Sequence, residues 1–153
     1  MKIKNSAVSS SLTQTDVTKL LYMIEEEKMA RDVYDALYEQ TGLSIFDKIS
    51  DSEQTHYSTL LKTASKLGVD TGSLSTQAGV FTDVTVQSLY DQLILQGSQS
   101  TSNAIGVGIL IEETDISDLQ TSIDETTVSS LDQVYSNLLN ASLNHLWAFD
   151  SIA

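Results

Sequence analysis

Glu53 and His56 lie in an apolar stripe where aliphatic side chains are expected. The stripe follows the three- and four-residue steps that mark the core-facing side of an amphipathic helix. A carboxylate and an imidazole at such positions need partners, because an unpaired charge in a protein core is costly. A metal ion bound by both side chains would supply that partner, since Glu-x-x-His places the two on one helix face. The members of the stripe are Phe46, Ile49, Glu53, His56, Leu60, Ala64 and Leu67.

A second interpretation of Glu53 stays open at this point. Ser50-x-x-Glu53 is also the pattern of a capping box, in which the carboxylate serves only the amino end of a helix. That interpretation leaves His56 on the same ridge without an explanation. We expect a helical turn from Ser44 to Ile49, followed by a helix that carries Glu53 and His56 and ends near Leu67.

The first long helix carries another carboxylate, Glu27, on its apolar ridge. Thr15 or Asp16 is expected to cap the beginning of this helix, and Thr41-Gly42 to end it. The charged neighbours of Glu27 fall mostly on other faces and are interpreted as solvated or paired charge. These neighbours are Glu25, Glu26, Lys28, Arg31 and Asp32.

A later helix, predicted from Asn103 to Leu119, brings a third ridge carboxylate, Glu112. Glu113 is the alternative, because rotating the helix by one residue would favour it. Asp115 lies one turn beyond Glu112 on the same side of the helix. We expect residues 124–127 to form the next turn and cap.

The last helix places His145 on its ridge, with Ser142 one turn before it. A single inward histidine is more often a hydrogen-bonded core residue than a ligand. Here, however, both histidines of the chain and three carboxylates fall on the buried ridges of bundle helices. Mixed carboxylate and imidazole ligands suit iron or manganese, and zinc is an alternative. A bundle whose inward polar groups bond only to one another, without metal, also remains open.

The connections predict an all-α fold, a four-helix bundle with a long crossover connection and one extra short helix. Residues 69–84 are rich in Gly, Ser and Thr and can run the length of a bundle. Val80-Phe81 leaves a short strand open within this connection, and residues 86–96 form the extra helix. Residues 1–14 are expected to be a flexible tail and residues 15–153 a single domain. The absence of proline fits long helices.

Composition excludes several classes of function. The net charge of −13 disfavours nucleic acid and anionic lipid as partners. The absence of cysteine excludes disulfides, iron–sulfur clusters and thiolate sites. No apolar run approaches the roughly 18 residues of a membrane span, and the first residues lack the apolar core of an intact signal peptide. A cytoplasmic location, secretion after removal of a signal, and a homodimer all stay open.

Several segments resemble known families. Glu27-Lys28-Met29-Ala30-Arg31-x-x-Tyr34 resembles the first-helix segment of rubrerythrin-type ferritin-like proteins, and Glu53-x-x-His56 matches their second-helix motif. Four longer strings, distributed along most of the chain, resemble the ferritin-like family called domain of unknown function 2202. Those strings are residues 25–34, 52–56, 111–119 and 144–149.

The resemblance implies a ferritin-like bundle with a di-metal carboxylate centre, most simply two iron ions, but it implies no established reaction. In the rubrerythrin pattern the fourth helix carries a second Glu-x-x-His, whereas here Ser142 precedes His145 at that spacing. We hypothesise that Asp115 replaces the missing carboxylate. The predicted ligand set is Glu27, Glu53, His56, Glu112, Asp115 and His145.

Three functions follow from these expectations. The first is an oxidoreductase that reduces peroxide or oxygen and takes electrons from a separate donor, because no cysteine-ligated module is present. The second is a metal-binding or sequestering protein without turnover. The third is a structural bundle that has lost its metals. No catalytic residue is assigned, and the aromatic candidates for an electron relay are Tyr22, Tyr34, Tyr57 and Trp147.

Overall fold

The computed structural model describes residues 11–153, which form five helices and, within that range, no strand. The all-α prediction is therefore confirmed for this part of the chain, and the strand at Val80-Phe81 does not form. The tail predicted at residues 1–14 lies mostly outside the described residues, although Gln14 already belongs to the first helix. The helices are α1 Gln14–Thr41, α2 Ser44–Lys66, α3 Val84–Gly97, α4 Thr101–Glu125 and α5 Ser129–Ile152.

The four long helices form two hairpins that pack against each other. Gly42 and Leu43 join α1 to α2, and residues 126–128 join α4 to α5. Gly42 has a φ of 70°, a left-handed conformation that glycine adopts without strain, and its N–H bonds to the Tyr38 carbonyl. Helix α1 packs on α4, α2 packs on α5, and the short α3 lies against α1 and α4. None of the described helices has the length and apolar character needed to cross a bilayer.

The core of the bundle consists of two apolar clusters with a polar layer between them. One cluster contains Phe46 and Phe149, and the other contains Leu60 and Leu131. Each long helix contributes residues to both clusters, and the predicted ligands lie between the two contributions. On α1, for example, Glu27 comes after the residues that belong to the Leu60 cluster and before those that belong to the Phe46 cluster.

Gly108 brings α5 close to the polar layer of α4. A Cβ atom at this position would lie 2.6 Å from the ring of Phe149, which is closer than carbon atoms pack. The absence of a side chain therefore lets the α5 ring lie directly on the α4 backbone. This close approach lies next to the segment in which Ser142 and His145 face Glu112 and Asp115.

Several predicted helix boundaries were wrong. Thr13, rather than Thr15 or Asp16, caps α1, and Asp16 completes a capping box with it. Helix α2 is continuous from Ser44, so Ser50 lies inside the helix and the capping-box interpretation of Glu53 is wrong. Helix α4 continues past Leu119 to Glu125, because no glycine or proline interrupts it.

The crossover, residues 67–83, covers a charged face of α1. The Glu25 carboxylate accepts the N–H groups of Thr82 and Asp83 at 2.7 and 2.8 Å. Asp83 in turn caps α3, which begins at Val84 rather than near Val86. Glu25 is only 2% exposed as a result.

Lys28 and Asp32 also hold the crossover against α1. The Lys28 ammonium donates to the carbonyls of Gln77 and Val80 and to Asp32, at 2.7, 3.1 and 3.0 Å. Asp32 also accepts the N–H of Gly79. We call Glu25, Lys28 and Asp32 the crossover clamp. Of the two interpretations left open for them, solvated or paired charge, the structure shows the paired one, with all three side chains buried.

Candidate metal centre

Three predicted ligands converge between α1 and α2. The Nδ1 atom of His56 lies 3.2 Å from Oε2 of Glu27 and 3.3 Å from Oε2 of Glu53. Both carboxylates are buried, and the imidazole is 12% exposed. One ligand atom from each residue lies within 4.8 Å of the other two, which is a spacing that one cation can span. We call Glu27, Glu53 and His56 the first triad.

Glu53 also belongs to a second triad, with Glu112 of α4 and His145 of α5. The Nδ1 atom of His145 lies 3.1 Å from Oε1 of Glu53 and 3.3 Å from Oε1 of Glu112. Glu53 therefore directs one oxygen to each histidine. The two imidazole rings are nearly parallel, with centroids 5.9 Å apart. A carboxylate shared in this way is the arrangement of a bridging ligand between two ions.

Asp115 lies in the same buried layer but outside both triads. Its Oδ2 accepts a 2.6 Å hydrogen bond from the hydroxyl of Ser142, while its Oδ1 has no hydrogen-bond partner within residues 11–153. Burial, and then the charge of Glu27, raise the pKa of Asp115 well above its usual range. Ser142 thus orients Asp115 from the α5 position where the rubrerythrin pattern has a glutamate.

Protein groups satisfy the buried carboxylates of this layer only in part. One oxygen each of Glu27, Glu53, Glu112 and Asp115 is buried without a hydrogen bond from any described residue. A buried acceptor left in this way costs about 1–3 kcal/mol, and more when it is charged. Cations placed among these oxygens would offset that cost, so the donor set fits a metal centre.

The electrostatics of the layer show the same crowding of negative charge. Burial, and then repulsion from Glu53, raise the pKa of Glu27 well above its usual range. Burial and the charge of Glu112 raise the pKa of Glu53 to about 7. For His145, burial lowers the pKa, but Glu112 and Glu53 outweigh it and raise the pKa to about 10. Positive charge is therefore favoured at this layer.

Tyr34 touches the centre through Glu112. Its hydroxyl donates a 2.9 Å hydrogen bond to Oε1 of Glu112, and the side chain is fully buried. Among the other relay candidates, the Tyr57 ring lies under the Arg31 guanidinium, Trp147 is 73% exposed, and Tyr22 lines a solvent-open cavity. Tyr34 is accordingly the relay candidate that holds a predicted ligand.

The structure buries Glu112 and exposes Glu113, and it also buries Glu26. Glu112 is fully buried at the centre, whereas Glu113 is exposed. Glu26 was predicted among the solvated or paired charges, but it is 2% exposed and neither carboxylate oxygen has a hydrogen-bond partner in the described chain. Helical periodicity could not reveal it, because its burial depends on packing from outside α1.

Most of the chain matches a known protein family. The family described as "Uncharacterized protein domain (DUF2202)" matches residues 16–152. The chain belongs to this family. The predicted resemblance to domain of unknown function 2202 is confirmed.

A relative from Methanocaldococcus jannaschii extends the family comparison. "Uncharacterized protein MJ0754" is 36% identical over 145 residues, which is 95% of this chain and 78% of the relative. The solved structure titled "Crystal structure of hypothetical protein MJ0754 from Methanococcus jannaschii DSM 2661" matches with a TM-score of 0.89, over 95% of this chain and 83% of the other. The solved MJ0754 structure therefore has the same fold as this chain. The candidate metal centre is supported by the side chains described above.

Proposed function

We propose that the chain is a ferritin-like, di-metal carboxylate protein that binds two cations in its two triads. The observation that carries this proposal is the pair of triads sharing Glu53, with buried carboxylate oxygens that no protein group satisfies. The arrangement of two hairpins joined by a long crossover supports the ferritin-like assignment, because such bundles build metal sites from facing helices.

In this proposal the first cation binds Glu27, Glu53 and His56, and the second binds Glu53, Glu112 and His145. Asp115, which accepts a hydrogen bond from Ser142, would be the remaining carboxylate ligand in place of one on α5. Four ionised carboxylates and two neutral imidazoles balance two divalent cations, which would leave the buried layer without net charge. Oxygen and nitrogen donors of this kind favour iron, with manganese or zinc as alternatives.

With iron bound, the pair would supply one-electron chemistry toward peroxide or oxygen. The chain's own residues have definite parts in that activity. Tyr34 holds Glu112 through its hydroxyl, and Ser142 holds Asp115. Because the chain contains no cysteine, electrons would come from a separate donor protein. The competing proposal is sequestration without turnover, which the net charge of −13 favours by attracting cations.

Elemental analysis of protein purified without chelator tests the metal centre. We expect two ions per chain for wild type and strong loss in Glu53→Gln, because Glu53 belongs to both triads. Glu113→Gln is the matched control, since it makes the same change one residue from Glu112 at an exposed position. Wild-type protein that stays metal-free after incubation with iron, manganese or zinc would rule the proposal out.

Peroxide consumption by the iron-loaded protein with an added reductant separates the two activities. Turnover above free iron that is lost in Glu53→Gln favours the oxidoreductase. Stoichiometric binding of iron without turnover favours sequestration. A homodimer and the cellular compartment remain predictions from the sequence.

A further inference from the structure

A solvent-open cavity of about 560 Å³ lies beside the metal centre, between α1, the crossover and the second half of α4. It includes both apolar and charged side chains. Those that matter here are Lys19, Tyr22, Glu25, Asp83, Asp118 and Ser122. Asp118 is half-buried and lies one turn along α4 from Asp115, on the side of the cavity.

Glu26 lies one helical turn from Tyr22 and Met23, which line the cavity, and directly precedes Glu27 of the first triad. It does not itself line the cavity, it is 2% exposed, and no N–H or hydroxyl group of the described chain donates to either of its carboxylate oxygens. Besides burial, the charge of Asp115 and a side-chain interaction with Asp118 raise its pKa, and Glu27 adds to the effect. Glu26 therefore interacts with Asp118, which lines the cavity, and with Asp115 and Glu27 of the buried layer.

The basic residues of α1 do not neutralise this carboxylate. Lys19 pairs with Glu125 at 3.3 Å, and Lys28 is held by Asp32 and the carbonyls of the crossover. Arg31 donates to Asp32 and Gln54. Asp118 cannot satisfy an ionised Glu26, because both groups are then acceptors. When both are ionised, they attract a cation more strongly than two exposed carboxylates would, because Glu26 is buried away from the solvent that screens charge.

Glu26 and Asp118 do not form a third resident site. Among residues 11–153, only the two triads bring three ligand atoms within 4.8 Å of one another. Two carboxylates without an imidazole would hold a divalent ion weakly, and a weak site between solvent and a strong site suits transfer rather than storage.

We propose that the cavity, Asp118 and Glu26 form the route by which hydrated divalent cations enter the two triads. The ion loses water as it passes from half-buried Asp118 to fully buried Glu26, and it then reaches Asp115 and Glu27. This inference rests on the proposed function of the triads. It assigns Glu26 and Asp118 to the kinetics of loading and not to the final coordination.

Stopped-flow loading of metal-free protein with Co²⁺, followed by the visible absorption of bound cobalt, tests the route. We expect Glu26→Gln and Asp118→Asn each to slow loading by about tenfold or more, because electrostatic guidance contributes factors of that size to rates. The final stoichiometry should stay at two ions per chain. Glu39→Gln on α1 and Glu113→Gln on α4 are exposed controls that should load at the wild-type rate.

The possible outcomes distinguish the route from the centre itself. Wild type that binds two ions, with both variants loading within about twofold of the controls, overturns the route alone. Loss of an ion at saturation in Glu26→Gln makes Glu26 a ligand and also overturns it. Wild type that binds neither cobalt nor iron, manganese or zinc overturns the proposed function together with the route. Thermal unfolding of each variant shows that a slowed rate does not come from a damaged fold.

Discussion

Helix α1 buries two groups of charged side chains in opposite ways. In the crossover clamp, Glu25, Lys28 and Asp32 find ammonium, carboxylate and backbone partners. On the neighbouring faces, Glu26 and Glu27 are equally buried, yet three of their four carboxylate oxygens have no hydrogen-bond partner within the described residues. Both groups lie within eight consecutive residues of one helix.

The difference shows what marks a candidate site in this protein. Burial of charge is common to both groups, so burial alone does not distinguish them. The clamp is complete without a ligand, and its role is to fasten the crossover. The second group is incomplete without added positive charge, and it is the group on which the proposed function depends. Four predictions test this contrast, and they are ordered by expected size.

Removing the clamp's cation should have the largest effect on stability. Lys28→Met leaves the carbonyls of Gln77 and Val80 unsatisfied and removes a partner of Asp32. Breaking a buried charge pair from one side costs about 3–5 kcal/mol. Urea unfolding should show a loss of that size, while Lys48→Met at an exposed position should change stability by less than about 0.5 kcal/mol. A loss below about 1 kcal/mol would mean that the clamp contributes little.

Acid should stabilise the metal-free protein, in contrast to the usual behaviour of paired carboxylates. The pKa of Glu53 rises from 4.5 to about 7 on folding, and that of His145 from 6.5 to about 10. The folded state therefore binds more protons than the unfolded chain between pH 4.5 and 7 at Glu53, and between pH 6.5 and 10 at His145. The free energy of unfolding should fall as pH rises through these windows, by up to about 1.4 kcal/mol per pH unit for each full proton of difference.

Urea unfolding of chelator-treated protein between about pH 5 and pH 7.5 measures this slope. Metal-loaded protein is the control, and its slope should have the opposite sign because bound ions require deprotonated ligands. Metal-free protein that loses stability on acidification would show that the buried carboxylates have protein partners after all.

Asp115 should affect the binding of metal more than the stability of the fold. Asp115→Ala removes the carboxylate that Ser142 orients, and we expect the affinity for one of the two ions to fall about 100-fold. Bound iron in the variant and in wild type decides the question, since unchanged stoichiometry and affinity would remove Asp115 from the ligand set. Ser142→Ala should give a smaller change in the same direction, because Asp115 itself remains.

Tyr34→Phe should have the smallest effect of the four. It removes one hydrogen bond to Glu112 and keeps the buried ring. We expect metal affinity at the second triad to fall about tenfold, as outer partners of ligands typically contribute. Tyr38→Phe, one turn later on α1 and 39% exposed, is the control. Equal affinities in the two variants would show that the hydroxyl does not hold Glu112 in place.

The sequence predicted the ligand positions because each lies on a regular apolar ridge. Glu27, Glu53, His56 and His145 occupy places in a helical period, and the structure brings them to one layer. Asp115 was predicted from its spacing to Glu112, which fixes its direction on the helix.

The burial of the clamp and of Glu26 was not predictable in the same way. The burial of the clamp depends on where residues 67–83 dock, which is set by contacts with residues about 50 positions away in the chain. Glu26 interacts with Asp115 and Asp118 of α4, which are also distant in sequence. A local period carries no information about such contacts. The ends of α4 and the capping of α1 were missed for a different reason: several polar residues near each end have similar capping ability.

The division of the ligands between the hairpins has a consequence for assembly. Glu27, Glu53 and His56 all belong to the α1–α2 hairpin, which a two-residue turn closes, whereas the other triad also needs α4 and α5. A nascent chain that has formed only its first hairpin already carries one complete set of ligands. The second set comes into existence only when the hairpins dock. In the proposed centre, release of the second ion would therefore be coupled to separation of the two halves of the bundle, whereas release of the first would not.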